Sequence, residues 1–216
     1  MSSSSPLAER SAPPYWDAAK VHLSKVDERL AEVIQRFSGE GEPPLRSRGD
    51  LFRTLANAIV GQQISAAAAA AVWDRLCALL GELDPQRILD CSPEALRGVG
   101  LSARKVEYLK GIAAETPTLF ELPWATMSDR EVLKVLTALR GVGPWTAEMV
   151  LIFALNRPDV LPLGDIGVVR AVERLYRAGA PMSGDEITAL AEPWRPYRTV
   201  AVWYLWRTID AEPVEY

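Results

Sequence analysis

Histidine and cysteine are nearly missing from this chain: His22 is the only imidazole, and Cys77 and Cys91 are the only thiols, in 216 residues. That scarcity excludes much chemistry. A zinc site built from Cys and His runs short of ligands, and a cysteine-held iron–sulfur cluster would want two more thiolates. A Ser-His-Asp triad would have to recruit His22, which sits in the helical pattern WDAAKVHLSKVDERLAEVIQRF and reads more simply as a helix-surface or core residue. The two cysteines read as buried apolar side chains.

Long apolar runs are missing too. Met149 to Leu155 makes seven consecutive apolar residues, against the roughly 20 that cross a bilayer, so no membrane association is expected. The opening MSSSSPLAERSAPP has no apolar stretch behind a basic start and reads as a disordered tail over 1–14, not a signal peptide, which places the chain in the cytoplasm. A surplus of positive charge is also lacking. The net charge of −4 argues against a nucleic-acid grip made chiefly of Lys and Arg. Such a partner would have to be held by backbone amides or by a locally basic face.

Strand signals are nearly absent, and helix signals take their place. Asp84-Pro85 and Ser92-Pro93 pair an N-cap with proline at the first helical position, while Ser128–Glu131 and Ser183–Glu186 spell capping boxes. Segments of 3.6-residue period run over 16–38, 50–60, 65–80, 102–115, 128–139, 144–155, 165–178, 183–192 and 196–209. The alanine run Ala66–Ala71 belongs to one of them and predicts close helix packing. The pattern predicts an all-α fold of about nine or ten helices in two lobes around a cleft. Residues 50–155 form a middle lobe. Residues 15–49, a helix and linker, pack on a C-terminal lobe of 156–216.

One pentapeptide occurs twice. Leu139-Arg140-Gly141-Val142-Gly143 repeats Leu96-Arg97-Gly98-Val99-Gly100, 43 positions later. The first copy extends to a GxGxxA string through Ala103, but a capped helix precedes it where a dinucleotide loop needs a strand, leaving a tight turn between helices. The second copy is flanked by Leu136 and Leu139 on one side and by Thr146, Ala147, Met149 and Val150 on the other. Two glycines without side chains, followed by a helix start, aim backbone amides outward, an arrangement that suits a phosphate oxygen or serves a plain structural hairpin.

This second copy, with the downstream NRPDVLPLGDIGVVRAV, resembles the helix-hairpin-helix DNA glycosylases whose hairpin is followed by a Gly/Pro-rich loop and an aspartate. Asp165, 22 residues beyond Gly143, stands at the aspartate position. AIVGQQISAAAAAAVW, LRGVGLSARKVEYLKGIA and AEPWRPYRTVAVWYLWR are similar to further segments of the alkylpurine branch, the 3-methyladenine DNA glycosylase II type. The resemblance covers most of 50–210. The β-rich N-terminal subdomain of longer members is not expected, since only 50 residues precede Leu51.

The resemblance implies a monofunctional glycosylase that hydrolyses the N-glycosidic bond of flipped-out alkylated purines in double-stranded DNA, for base excision repair. It implies Asp165 as the catalytic carboxylate, a residue that local sequence alone reads equally as the N-cap of the helix after it. Gly141, Val142, Gly143, Thr146 and Ala147 would hold the DNA backbone. The carbonyls of Thr137, Leu139 and Val142 would hold a monovalent cation, sodium or potassium, when DNA is bound; no cofactor is required for catalysis. Trp145, Met149 and Trp194 would line the base pocket, although the family often has an aromatic where Met149 stands. Trp145 occupies the position at which strand-cleaving members carry a Schiff-base lysine, so no lyase activity follows. Gln63, with Gln62 beside it, maps to the residue that wedges into the emptied stack, and reads otherwise as a cap or interhelical bond. Arg140, Arg170, Arg195 and Arg198 are phosphate candidates or solvated charges. Trp73, Trp203 and Trp206 read as core. A monomer is expected. Other readings stand beside this one: a non-catalytic helix-hairpin-helix module, a glycosylase for another damaged base, and a helical protein-interaction domain favoured by the acidic balance.

Overall fold

The computed structural model describes residues 12–39, 45 and 49–209; most of the tail expected to be disordered lies outside them. Among these residues the chain forms twelve α-helices, one 3-10 turn and no strand. In order they are α1 (Trp16–Val26), α2 (Glu28–Phe37), α3 (Leu51–Gly61), α4 (Ala66–Leu80), α5 (Pro85–Asp90), α6 (Pro93–Gly98) and α7 (Ala103–Phe120). There follow α8 (Asp129–Thr137), α9 (Pro144–Phe153), α10 (Ile166–Arg177), α11 (Gly184–Leu190), the 3-10 turn Glu192–Trp194 and α12 (Arg198–Arg207).

Side-chain chemistry marks the starts. Asp84 and Ser92 cap helices whose first residue is proline, and both capping boxes form completely, Ser128 with Glu131 and Ser183 with Glu186. The single helix expected over 16–38 is instead two. Asp27 takes an extended conformation and its Oδ1 accepts the Leu30 amide at 3.0 Å, so the residue ends α1 and caps α2. A capping side chain competes with helix continuation wherever tertiary partners hold its carboxylate, and Tyr176 and Trp194 do so here, each donating to Asp27 Oδ2 at 2.8 Å.

The principal helix pairings fall into two groups. In one, α3 packs on α4, α7 and α9, α7 on α5 and α6, and α8 on α9; in the other, α12 packs on α1, α2 and α10, and the 3-10 turn on α1 and α11. These are the two lobes. The alanine run does not pack as expected: apart from Ala69, Ala66–Ala71 are exposed, and α4 is anchored through Val72, Leu76 and Leu80. Alanine keeps that first turn helical without needing burial, and it leaves a face with no long side chains. The lobes meet where Phe153 of α9 stacks on Trp206 of α12, ring centroids 5.8 Å apart.

Candidate active site

The strap between the lobes is nailed to α12 before it reaches Asp165. Thr199 donates its amide to Pro158 O and its hydroxyl to Arg157 O, and its Oγ1 accepts the Val160 amide. Arg198 Nε lies 2.6 Å from Asp159 Oδ1, with Arg195 on the same carboxylate. Two of the expected phosphate contacts are thereby occupied as structural clamps. Arg140 is likewise paired with Glu107, whereas exposed Arg170 has no ion-pair partner among the described residues.

Asp165, half-buried, is the N-cap of α10, and three N–H groups converge on it. Val168 N donates to Oδ1 at 2.9 Å, Trp145 Nε1 to Oδ2 at 2.8 Å, and Trp206 Nε1 to Oδ1 at 3.3 Å. All three are donors, the complement of an ionised acceptor. The donors come from both lobes, so the carboxylate of this half-buried residue is fixed at their junction. Crowding around it is tight: a Cβ at Gly167 would meet Oδ1 at 3.0 Å and Ile209 Cδ1 at 3.1 Å. Leu163 and Ile166 beside it are exposed apolar side chains.

The Trp145 indole lies close to Gly61 of α3, where an added Cβ would stand 3.9 Å from the ring, and the Trp145 Cβ lies close to Gly164 of the strap, at 3.6 Å from a Cβ added there. A cavity of about 800 Å³ opens at the opposite ends of α3 and α9, lined by Phe52, Phe120, Trp124 and Arg157 among others, and carries none of the expected site residues.

The repeated corner is the hairpin between α8 and α9. Gly141 has φ +88°, and a Cβ there would fall 2.2 Å from Cγ of Tyr108, so the turn is pressed onto α7 and only glycine fits. Val142 is buried, while a Cβ on Gly143 would meet nothing within 4 Å. No side chain caps α9, which leaves first-turn amides facing outward for an anion. Thr146 and Ala147 are buried beneath that start.

Gln62 is a brace and not a wedge. Its Nε2 donates to Gly141 O at 2.9 Å and to Thr146 Oγ1 at 3.0 Å, tying the hairpin to the end of α3. Gln63 next to it is exposed, with φ +58°, a left-handed conformation uncommon for a side-chain-bearing residue. Lys105 of α7 holds this corner from below, donating to Val60 O at 2.8 Å and Gln62 O at 2.9 Å, and burial lowers its pKa.

Two expected pocket residues lie elsewhere. Trp194 is fully buried, bonds Asp27 and tilts against Tyr176, so it belongs to the core of the C-terminal lobe. Met149 is also fully enclosed. Conversely, Trp206, read as core, contributes a donor to Asp165 although little of it is exposed. Glu148 carried no sequence signal, yet burial first and the charge of Asp165 second push its carboxyl up to about 7. His22 has a structural place, with its Nε2 3.0 Å from Pro193 O and its ring edge-on to Tyr197. Cys77 and Cys91 are free and half-buried rather than enclosed.

A two-lobed helical fold with a glycine hairpin and an aspartate at the lobe junction defines a class. Residues 56–196 match the HhH-GPD superfamily base excision DNA repair proteins, and the chain belongs to that family. It is 33% identical to DNA-3-methyladenine glycosylase 1 of Schizosaccharomyces pombe, over 88% of this chain and 86% of that one. It is 31% identical to DNA-3-methyladenine glycosylase 2 of Escherichia coli, over 82% of this chain and 65% of the relative. The structure of the S. pombe 3-methyladenine DNA glycosylase in complex with abasic DNA superposes with a TM-score of 0.80 at 31% identity, covering 88% of this chain and 96% of the other. No helix among the described residues is long and apolar enough to cross a membrane.

Proposed function

We propose that this protein is a DNA glycosylase that releases alkylated purines of the 3-methyladenine and 7-methylguanine type from double-stranded DNA by hydrolysis. One observation carries the reading: the carboxylate of a half-buried aspartate held by three N–H donors from both lobes, beside an uncapped helix start that can hold a phosphate. Names and structures of the relatives support it.

The target bond is inaccessible inside a duplex, so the nucleotide rotates out, at a cost of a few kcal/mol that damage reduces. Exposed Gln63, in its left-handed corner, enters the vacated stack. Trp145 offers an indole face to a cationic alkylpurine, an attraction of about 0.5–2 kcal/mol. As the C1′–N bond lengthens, positive charge grows on the sugar, and the Asp165 carboxylate stabilises it and receives the water. Trp145 has no amine, so the sugar is not captured as a Schiff base and the product is an intact abasic site. The hairpin amides of Gly143 and Thr146 hold the strand, while that of Ala147 already donates to Gly143 O.

The hairpin carbonyls suit a monovalent cation. Among the described residues those of Thr137 and Val142 accept no hydrogen bond, and that of Leu139 accepts one, from the Val142 amide at 3.1 Å. Thr137, Leu139 and Val142 would hold the ion against phosphate; it supplies positive charge to DNA binding and nothing to bond cleavage. The protein acts as a monomer.

Incubation with methylated duplex DNA tests the reading. Free methylated purines and alkali-sensitive sites are expected, without strand breaks before alkali. Release of no base, or breakage before alkali, contradicts it.

A further inference from the structure

Gln62 ends α3 and is held at its amide, its carbonyl and its side chain. Its backbone N–H closes the helix on Ala58 O at 3.1 Å, and its carbonyl accepts Lys105 Nζ of α7 at 2.9 Å. The side-chain amide donates both of its N–H bonds to the α8–α9 hairpin, to Gly141 O at 2.9 Å and to Thr146 Oγ1 at 3.0 Å. A backbone carbonyl can only accept, so the amide cannot turn over without setting oxygen against oxygen.

These contacts close a ring. Lys105 and Tyr108 lie three residues apart on α7 and share one face of it. Lys105 supports the end of α3, Tyr108 lies under Gly141, and Gln62 joins the two supported segments directly. The ring carries two elements that meet DNA. One is exposed Gln63, the next residue along the chain, at φ +58°. The other is the first turn of α9, where Thr146 leaves its amide to the strand and gives its hydroxyl oxygen to Gln62.

We propose that Gln62 couples the hairpin's grip on the strand to the entry of Gln63 into the stack, so that phosphate capture and duplex opening proceed as one event. The inference rests on the glycosylase reading above. Gln62 touches neither base nor sugar in this scheme and acts as a positioning residue. Lys105 serves the α3 side of the junction and Tyr108 the hairpin side; Gln62 supplies two hydrogen bonds that cross between them. With those bonds the corner and the hairpin move as one body. Without them the corner is free to shift against the gripped strand, and a displacement of about 1 Å costs a positioned step up to about a hundredfold.

The test compares single-turnover release of 7-methylguanine from a duplex that pairs it with cytosine and from one that sets it opposite an abasic site, where opening costs less. Gln62→Met keeps the length of the side chain and deletes both N–H donors. Its release should fall at least about tenfold from the paired duplex and less than about threefold from the unpaired one. Fluorescence of 2-aminopurine beside the lesion should report the same slowing of opening. Binding of undamaged duplex, which engages the hairpin without opening, should stay within about twofold of wild type. Thr146→Val removes one acceptor within the turn and should show the same selectivity at smaller amplitude, which keeps the test decisive if Gln62→Met does not fold. Equal proportional losses on the two duplexes, unchanged opening, or loss of undamaged-duplex binding in step with release overturns the proposal. Absence of 7-methylguanine release by wild type from both duplexes would instead overturn the glycosylase reading itself.

Discussion

Asp165 has two jobs, and a single substitution separates them. As N-cap it accepts the Val168 amide, and as candidate catalytic group it presents negative charge to the sugar. Asparagine caps helices as well as aspartate but turns an NH2 toward the Trp145 N–H, so Asp165→Asn should keep the cap at a loss of about 1 kcal/mol while base release falls about a hundredfold or more. Asp165→Ala should lose release and also about 1 kcal/mol of stability. Equal activity of Asp165→Asn and wild type would reduce the residue to a cap. The neighbouring tryptophans show how side chains of one type divide by their N–H partner: Trp145 and Trp206 donate to Asp165, and Trp194 to Asp27 in another part of the lobe.

At the scale of elements, the hairpin is held by contacts from two other helices. Tyr108 of α7 lies under Gly141, and Gln62 at the end of α3 bonds the Gly141 carbonyl. Gly141→Ala must combine a positive φ with a ring 2.2 Å from the new carbon; a loss of about 3 kcal/mol is expected in denaturant unfolding. Lys105 serves the corner carrying Gln63, because its ammonium satisfies two carbonyls where α3 ends. Lys105→Met should weaken duplex opening about tenfold, followed by 2-aminopurine fluorescence opposite the target site, with a stability loss of about 1–3 kcal/mol. Unchanged opening at a lowered stability would confine Lys105 to the fold.

For the whole molecule, three carboxyls shape the response to pH. Bonds from the Ser183 amide, Arg177 and the Ser183 hydroxyl bring Glu186 down to about 2, and the Ser128 hydroxyl and amide lower Glu131. Their contribution is present above the ordinary carboxyl value of 4.5 and is lost as the pH falls through the folded values. Glu148 acts with the opposite sign. Its folded value near 7 exceeds 4.5, so the native state binds the extra proton and stability declines as pH rises from 4.5 through 7. Glu148→Gln should therefore gain stability relative to wild type on going from pH 5 to pH 8, read from urea midpoints. A constant difference across that range would mean Glu148 titrates like an exposed glutamate. The acidic balance of the chain is met at this scale as well: with Arg140, Arg195 and Arg198 already paired to acids, exposed Arg170 and the backbone amides at α9 are left as candidate phosphate donors.

Helix content, four of the helix starts, the hairpin and the position of Asp165 were legible in the sequence, because each depends on residues within one or two turns of one another. A serine with glutamate three residues on, or proline after a cap, acts locally and needs no distant partner. The roles of Trp194, Met149, Gln62, Lys105 and Glu148 depended on tertiary structure. Asp27 and Trp194 meet across 167 residues, and Gln62 and Gly141 across 79. Hydrogen bonds and charge coupling act over a few ångströms in space whatever the separation along the chain. Which tryptophan faces the reactive carboxylate, which arginine stays free and which glutamate keeps its proton are therefore decided only when the two lobes close on one another.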